Sequence, residues 1–323
     1  MMKDTEFAYA VARIRSNEYK LLPTSVIESL INAKDYKEAC KFVSETCYGD
    51  IEKDGEEKVL ALRLKEAFAL IYESAPLKSC LDFLLIKNDF HNIKALIKSM
   101  VTGADINGML LEPSVVDTDV FRTALKNKSY DDVPFGLGIV LKKAYGIVTE
   151  TMDGQSLEIY LDRMCIEKSV LLAKESEDEF SIKLAKLMSV LSDIKIALRC
   201  LRTGKDKEFI MNALADCDML NKEELCEAVL SGEDALCDFV RKLGFDKLSQ
   251  SIKESYGVFE KTSDDMLVEI IKPAKYVSLG IAPLVAYYFA VDAEIKTLRI
   301  ILSCKKNGID VDRIRERVRV LYV

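Results

Sequence analysis

The sequence predicts an all-α protein built from three similar helical units. Three observations carry the prediction: scarce turn residues, apolar positions that recur at helical spacing along most of the chain, and one segment that occurs three times. Fourteen glycines and six prolines in 323 residues are about half the usual combined share of roughly 12%, which leaves few turns for an all-β fold. Apolar residues make up 49% and charged residues 31%, more apolar surface than a disordered chain carries. A chain of this length exceeds the usual size of one core and is expected to divide into packed units.

The copied segment sets the organisation. Asp89-Phe-His-Asn-Ile-Lys-Ala-Leu-Ile, Asp193-Ile-Lys-Ile-Ala-Leu-Arg-Cys-Leu and Glu294-Ile-Lys-Thr-Leu-Arg-Ile-Ile-Leu each open on a carboxylate followed by apolar residues one, four and eight positions on. Their starts lie 104 and 101 residues apart. The stripes Phe90/Ile93/Ile97, Ile194/Ala197/Leu201 and Ile295/Leu298/Leu302 each mark one helix face. A competing register matches the Ile-Lys pairs at 93, 194 and 295 and shifts the first copy by about one turn. The gapless alignment of the first and third copies to Gly103 and Gly308 favours the carboxylate register. Tyr48-Gly49, Tyr145-Gly146 and Leu243-Gly244, spaced by 97 and 98 residues, repeat the same order of magnitude. The expected units are 1–113, 114–218 and 219–323.

In chain order, Phe7, Val11 and Ile14 stand at helical spacing with Arg13 and Arg15 off the stripe, so the first element is an amphipathic helix. After Pro23, Ser25 and Glu28 stand three apart ahead of an apolar run, the pattern of a reciprocal N-terminal cap, and a second helix is expected there. Similar patterns continue, broken by short polar clusters at 50–54, 127–132 and 203–206. Val133-Pro-Phe-Gly-Leu-Gly-Ile-Val-Leu is the one stretch that reads as a buried strand, against the indications of Pro134, Gly136 and Gly138. The longest uncharged run, between Lys275 and Asp292, has sixteen residues including Pro283, short of the roughly 20 that span a bilayer. It reads as a buried core segment.

Charge and cysteine usage narrow the function classes. Forty-six basic against 53 acidic residues, a net charge of −7, oppose broad binding to phosphate backbones or anionic lipid. Nine cysteines, an odd count without a C-x-x-C pair, read as reduced thiols in the cytosol. The first six residues, Met-Met-Lys-Asp-Thr-Glu, lack the apolar stretch of a secretory signal. His91 is the only histidine, which excludes zinc sites needing two imidazoles. Neither a Walker loop nor a G-x-G-x-x-G motif is present, so no phosphate cradle of the usual kind is expected. No catalytic residue, metal ligand or cofactor is assigned.

Two constellations admit a rival reading. Asp264-Asp265 with Glu269 places carboxylates one turn apart, as in magnesium-dependent helical enzymes, or marks a helix start favoured by its dipole. Asp216-Cys217-Asp218 is a weaker version, and Asp131-Asp132 precedes Val133-Pro134, which interrupts a helix. Arg313, Arg315, Arg317 and Arg319 flank Val311, Ile314, Val318 and Leu321, which reads as a solvated helix edge, with docking to an acidic partner ahead of nucleic-acid binding. A helical-repeat adaptor with an open superhelix is the other alternative.

The opening Phe7-Ala-Tyr-Ala-Val-Ala-Arg-Ile-Arg-Ser-Asn-Glu with Leu21-Leu22, and the ending from Glu294-Ile-Lys-Thr-Leu-Arg to Ile314-Arg-Glu-Arg-Val-Arg and Tyr322-Val323, resemble the C subunit of the archaeal and bacterial A/V-type rotary ATPases, relatives of the d subunit of eukaryotic V-ATPases. The resemblance runs along the full chain. It implies three similar domains around a pseudo-threefold axis, a funnel that seats the foot of the central stalk and rests on the cytoplasmic side of the membrane rotor ring. It implies a non-catalytic coupling piece for ATP-linked proton or sodium transport, peripheral to the membrane. The family's Asn-Leu/Ile-Arg-like triplet stands here as Asn92-Ile93-Lys94 and Thr297-Leu298-Arg299 and is lost at Ile196-Ala197-Leu198. From this, Asn92, Lys94 and Arg299 are expected either to line or brace the stalk socket or to bridge adjacent units. Torque transfer asks for a stiff, closely packed body.

Overall fold

The computed structural model describes residues 3–106, 108–216 and 218–323. Along it run α1 (Ala8–Arg15), α2 (Thr24–Asn32), α3 (Tyr36–Ser44), α4 (Ile51–Asp54), α5 (Glu56–Ser74), α6 (Asp82–Thr102), α7 (Thr118–Asn127), α8 (Leu137–Thr151) and α9 (Gly154–Glu175). They are followed by α10 (Glu179–Thr203), α11 (Lys207–Ala213), α12 (Lys222–Ser231), α13 (Glu233–Lys242), α14 (Asp246–Glu254), α15 (Tyr256–Ile271), α16 (Ala282–Lys306) and α17 (Val311–Arg317). Short 3-10 turns join several of them. The all-α prediction holds for the described residues.

Local chemistry sets where these helices begin and end. Asp35, Asp50, Asp117, Asp153, Asp178, Asp206, Asn221 and Ser255 each accept the N–H of a residue two or three positions on, in the first turn of the helix they precede. The three copied segments sit inside α6, α10 and α16, the longest helices apart from α9. Gly103 and Gly204 stop α6 and α10 in the left-handed region, with φ of 71° and 61°. Gly308 does so just past α16, at φ 63°.

The expected stripes are buried except at Leu201, which is half-buried while Leu198 and Cys200 of the same helix are covered. Phe7, Val11 and Ile14 are buried as their spacing predicts, each such side chain contributing about 1.5–3 kcal/mol relative to exposure.

Two expectations are corrected. Residues 133–141 are not a strand: a 3-10 turn at Pro134–Gly136 leads directly into α8. The second helix starts at Thr24 after an extended Pro23, and no side chain caps it. Glu28 reaches Arg315 instead of the helix start. The uncharged run does enter a buried helix, with Pro283 in the first turn of α16, where its missing N–H is not needed. Among the described residues no helix is long and apolar enough to cross a membrane.

The chain divides into two compact units, the part up to Lys78 together with Gly244–Val323, and Ser79–Leu243. In the first, α16 is the core helix and packs on α1, α3, α5 and α15, with α14 against α15 and α17 against α2. In the second, α6 packs on α7, α8 and α9, and α10 on α9, α11, α12 and α13.

Gly138 in α8 is placed by a close approach: a Cβ there would stand 1.9 Å from the carbonyl oxygen of Tyr130 and 3.3 Å from the Val133 Cβ. Because the obstacle is backbone, Gly138→Ala is expected to lower stability by about 1–3 kcal/mol, the usual range for overpacking, despite the better helix propensity of alanine. Thermal unfolding followed by circular dichroism measures it, and an unchanged or raised melting temperature would refute the argument.

Candidate functional site

The carboxylates that open the three copies share one structural role. Asp89 and Asp193 are fully buried and Glu294 is 2% exposed. Each accepts a backbone N–H from a loop that precedes a short helix: Val115 and Val116 on Asp89 at 2.9 and 2.8 Å, Ala215 on Asp193 at 2.9 Å, and Leu22 on Glu294 at 2.6 Å. Chain passing through a core carries N–H groups that must find acceptors, and an ionised oxygen accepts more strongly than a neutral one. Burial nevertheless dominates the proton equilibrium of all three. It pushes Asp89 up to about 6, and Asp193 and Glu294 up to about 7, against the opposing pull of the donated amides.

Glu294 belongs to the richest of these arrangements. Its second oxygen accepts the Tyr48 hydroxyl at 2.9 Å. Arg63 of α5, 4% exposed, donates from Nη2 to the Tyr287 hydroxyl at 3.2 Å. Its guanidinium lies 5.8 Å from the Tyr48 ring centroid and 5.9 Å from that of Tyr287. Arg63 therefore supplies the positive charge that faces Glu294. Asp193 is simpler: one oxygen holds Ala215 and the other has no hydrogen-bond partner among the described residues. Lys222 is the nearby cation, with Glu167 and Asp216 as nearby anions.

Sequence reasoning did not single out Arg63, and it placed Tyr48 only in a repeated pair with Gly49, not beside Glu294. The signal for Arg63 was present, since Leu60, Arg63, Ala67 and Ile71 form one stripe on α5 and the arginine is the only charged member. A cation in an apolar stripe implies a buried counter-charge, but the stripe does not say where that charge lies.

Of the residues expected to line or brace a socket, Asn92 is buried and joins α6 to the chain ahead of α7. Its amide donates to the Leu111 carbonyl and the Thr118 hydroxyl at 3.0 and 3.2 Å and accepts Leu111 N–H at 2.8 Å. Lys94 pairs with Asp162 of α9 at 2.9 Å. Arg299 makes a two-pronged contact with Glu57 of α5, at 3.2 and 2.7 Å. Lys94 and Arg299 each stand five residues beyond the buried carboxylate of their helix, and Leu198 fills that place in α10. His91 contacts the Met109 carbonyl through Nε2 at 3.0 Å.

The acidic cluster proposed for magnesium has another use. Asp264 and Asp265 lie in the middle of α15, not at a helix start. Asp264 pairs with Lys296 at 2.8 Å and Arg319 at 2.9 Å, Asp265 accepts Val320 N–H at 2.7 Å, and Glu269 pairs with Lys272 at 2.6 Å. Asp264 and Asp265 hold the carboxy-terminal segment and Glu269 a lysine one turn on, which corrects the helix-start reading, and among the described residues no group of three or more His, Cys, Asp or Glu is placed to hold a metal ion. Cys217 lies outside the described residues, and its neighbour Asp218 pairs with Lys174 and Lys186. The arginine series is also reassigned: α17 stops at Arg317, so Arg319 stands beyond the helix, while Arg315 pairs with Glu28 at 2.6 Å.

Helical in its described residues, with repeated helices anchored by buried carboxylates and the Asp264–Asp265 cluster engaged by lysine, arginine and backbone N–H, the structure is that of an all-α repeat protein. The chain belongs to the ATP synthase (C/AC39) subunit family, which it matches over residues 10–317. It is similar to the C subunit of the V-type sodium ATPase of Enterococcus hirae, with 20% identity over 317 residues covering 96% of this chain and 97% of that protein. It is similar to the C subunit of the A-type ATP synthase of Methanocaldococcus jannaschii, with 24% identity covering 96% and 85%. It is also similar to the C subunit of the V-type ATP synthase of Thermus thermophilus, with 26% identity over 183 residues covering 52% and 55%.

Proposed function

We propose that the protein is the non-catalytic central-rotor subunit of a V/A-type rotary ATPase, joining the central stalk to the membrane rotor ring so that ATP turnover drives, or is driven by, proton or sodium movement. Family membership across residues 10–317 carries this reading. In it, three related helical units, divided near residues 113 and 218, stand around a pseudo-threefold axis as a funnel on the cytoplasmic face, and the stalk foot seats in the funnel.

Two physical features support a load-bearing role. Buried carboxylates tie α6, α10 and α16 to the loops beside them, and hydrogen bonds in a low-dielectric core are electrostatically stronger than in water. Close helix packing supplies stiffness. Contacts that carry torque would each bury at least about 1,000 Å² with charges at the rim.

Lys94 and Arg299 are assigned to brace or line the socket. Both pairs are partly exposed, Arg299 and Glu57 being 46% and 73% accessible, so charge reversal at either cation should change stability by no more than about 1 kcal/mol. Lys94→Glu and Arg299→Glu are expected to weaken retention of stalk subunits on co-purification and to uncouple ATP hydrolysis from ion transport in reconstituted vesicles. Unchanged stalk retention and coupling would remove both residues from the socket. Failure of the wild-type chain to co-purify with stalk and ring subunits would overturn the rotor assignment itself.

A further inference from the structure

Two antiparallel helix pairs, one in each compact unit, share a buried carboxylate and, five residues on, a cation paired with the returning helix. In the unit Ser79–Leu243, α6 bears Asp89 and, five residues on, Lys94; α9 runs back along it, with Lys94 on Asp162 and Lys98 on Glu158 at 2.5 Å. In the other unit, α16 bears Glu294 and, five residues on, Arg299; α5 runs back along it, with Arg299 on Glu57 and Tyr287 on Arg63.

The chain order of the two pairs differs. After α6 come the loop whose amides sit on Asp89, then α7, α8 and the returning helix α9. After α16 come residues 307–310, α17 and residues 318–323. The amide that sits on Glu294 comes from Leu22, 272 residues earlier in sequence, and the helices that follow Leu22 are α2, α3, α4 and the returning helix α5.

We infer that the amino-terminal segment through α5 is the second half of the repeat that α16 opens, so that the chain closes on itself as a circularly permuted repeat with Glu294 as the clasp. Other contacts join the same two ends. Gly280 N–H donates to the Asp4 carbonyl at 3.1 Å, Arg15 donates to the carbonyls of Ala274 and Val277 at 2.6 and 2.9 Å, and Arg315 reaches Glu28. The amino-terminal 78 residues then lack their packing partner until α16 exists. Closure over so long a loop comes late and is cooperative, and both ends open together as one unit. The inference is independent of the assembly role, since it concerns the isolated full-length chain.

Hydrogen exchange followed by mass spectrometry on the full chain tests it. In the wild type, peptides from 24–44, 56–74 and 282–306 are expected to share one opening equilibrium. Glu294→Ala is expected to speed exchange in all three together by tenfold or more and to leave peptides from 154–203 unchanged. Glu294→Gln, whose amide oxygen still accepts Leu22 N–H, is expected to show a smaller effect. An effect of Glu294→Ala confined to 282–306, or a wild-type 24–74 that opens separately from 282–306, would overturn the closure. Should Glu294→Ala fail to fold, the wild-type comparison of 24–74 with 282–306 decides alone.

Discussion

Arg63→Ala is expected to lower the unfolding free energy by about 3–5 kcal/mol, the range for removing one partner of a buried charged pair. The side chain lies between the Tyr48 and Tyr287 rings and faces Glu294, itself 2% exposed. Its removal leaves the carboxylate without a counter-charge and the Tyr287 hydroxyl without its donor. Arg63→Lys restores charge but loses the planar fork and its reach over both rings, so it should recover only part of the loss.

The deficit also has a pH signature. Glu294 already titrates at about 7, and loss of Arg63 raises it further, so the variant holds a proton where the wild type does not. The deficit should therefore be largest near pH 8 and smaller near pH 5.5, where the carboxyl is neutral in both proteins. Urea unfolding at the two pH values measures it. A loss below about 1 kcal/mol at pH 8 would show that the guanidinium does not serve as the counter-charge.

The second large effect is the pH dependence of the wild type. Asp89 stands at about 6, Asp193 at about 7 and Glu294 at about 7, against ordinary values of 3.8, 3.8 and 4.5, with burial the leading cause in each. A carboxyl raised on folding makes the native state bind more protons than the unfolded chain between the two values, so stability falls as pH rises. The contribution is fully present below about pH 4 and is lost as pH passes through the folded values of 6–7.

Asp193 gives the clearest test because, among the described residues, Ala215 N–H is its one hydrogen-bond donor. Asp193→Asn keeps an oxygen for that amide and has no proton to gain. Any fixed cost of the new NH2 group moves the stability profile vertically, so the slope is the readout. The stability difference between wild type and Asp193→Asn is expected to change by more than about 1.4 kcal/mol from pH 5 to pH 8, the equivalent of one pK unit. Parallel profiles would contradict a raised Asp193.

Much of the helical architecture was legible in the sequence. Helix caps lie within three residues of the N–H groups they accept, and apolar stripes repeat every turn, so both appear as local pattern. The carboxylate register was legible for a different reason: the residue type recurs at the same place in α6, α10 and α16, and repetition stands out where one instance would not. The strand reading of 133–141 failed because Pro134, Phe135 and Gly136 form a tight turn that feeds α8, with Phe135 at φ 58°, and a short apolar run does not distinguish a helix from a strand. The Asp264 and Asp265 pair was misread because its partners, Lys296, Arg319 and Val320, lie 32 to 55 residues further on.

By itself, the sequence determined that this protein is helical, that its repeated helices carry a carboxylate at one register, and that it resembles the C subunit of rotary ATPases, since these properties reside in spacing and residue type. Only the tertiary structure decided that the carboxylates are buried acceptors, that Arg63 and Tyr48 complete the Glu294 cluster, and that the two ends of the chain share one compact unit. Burial and ion pairing join residues up to 287 positions apart, and contacts at such separations leave no periodicity in the chain from which they could be read.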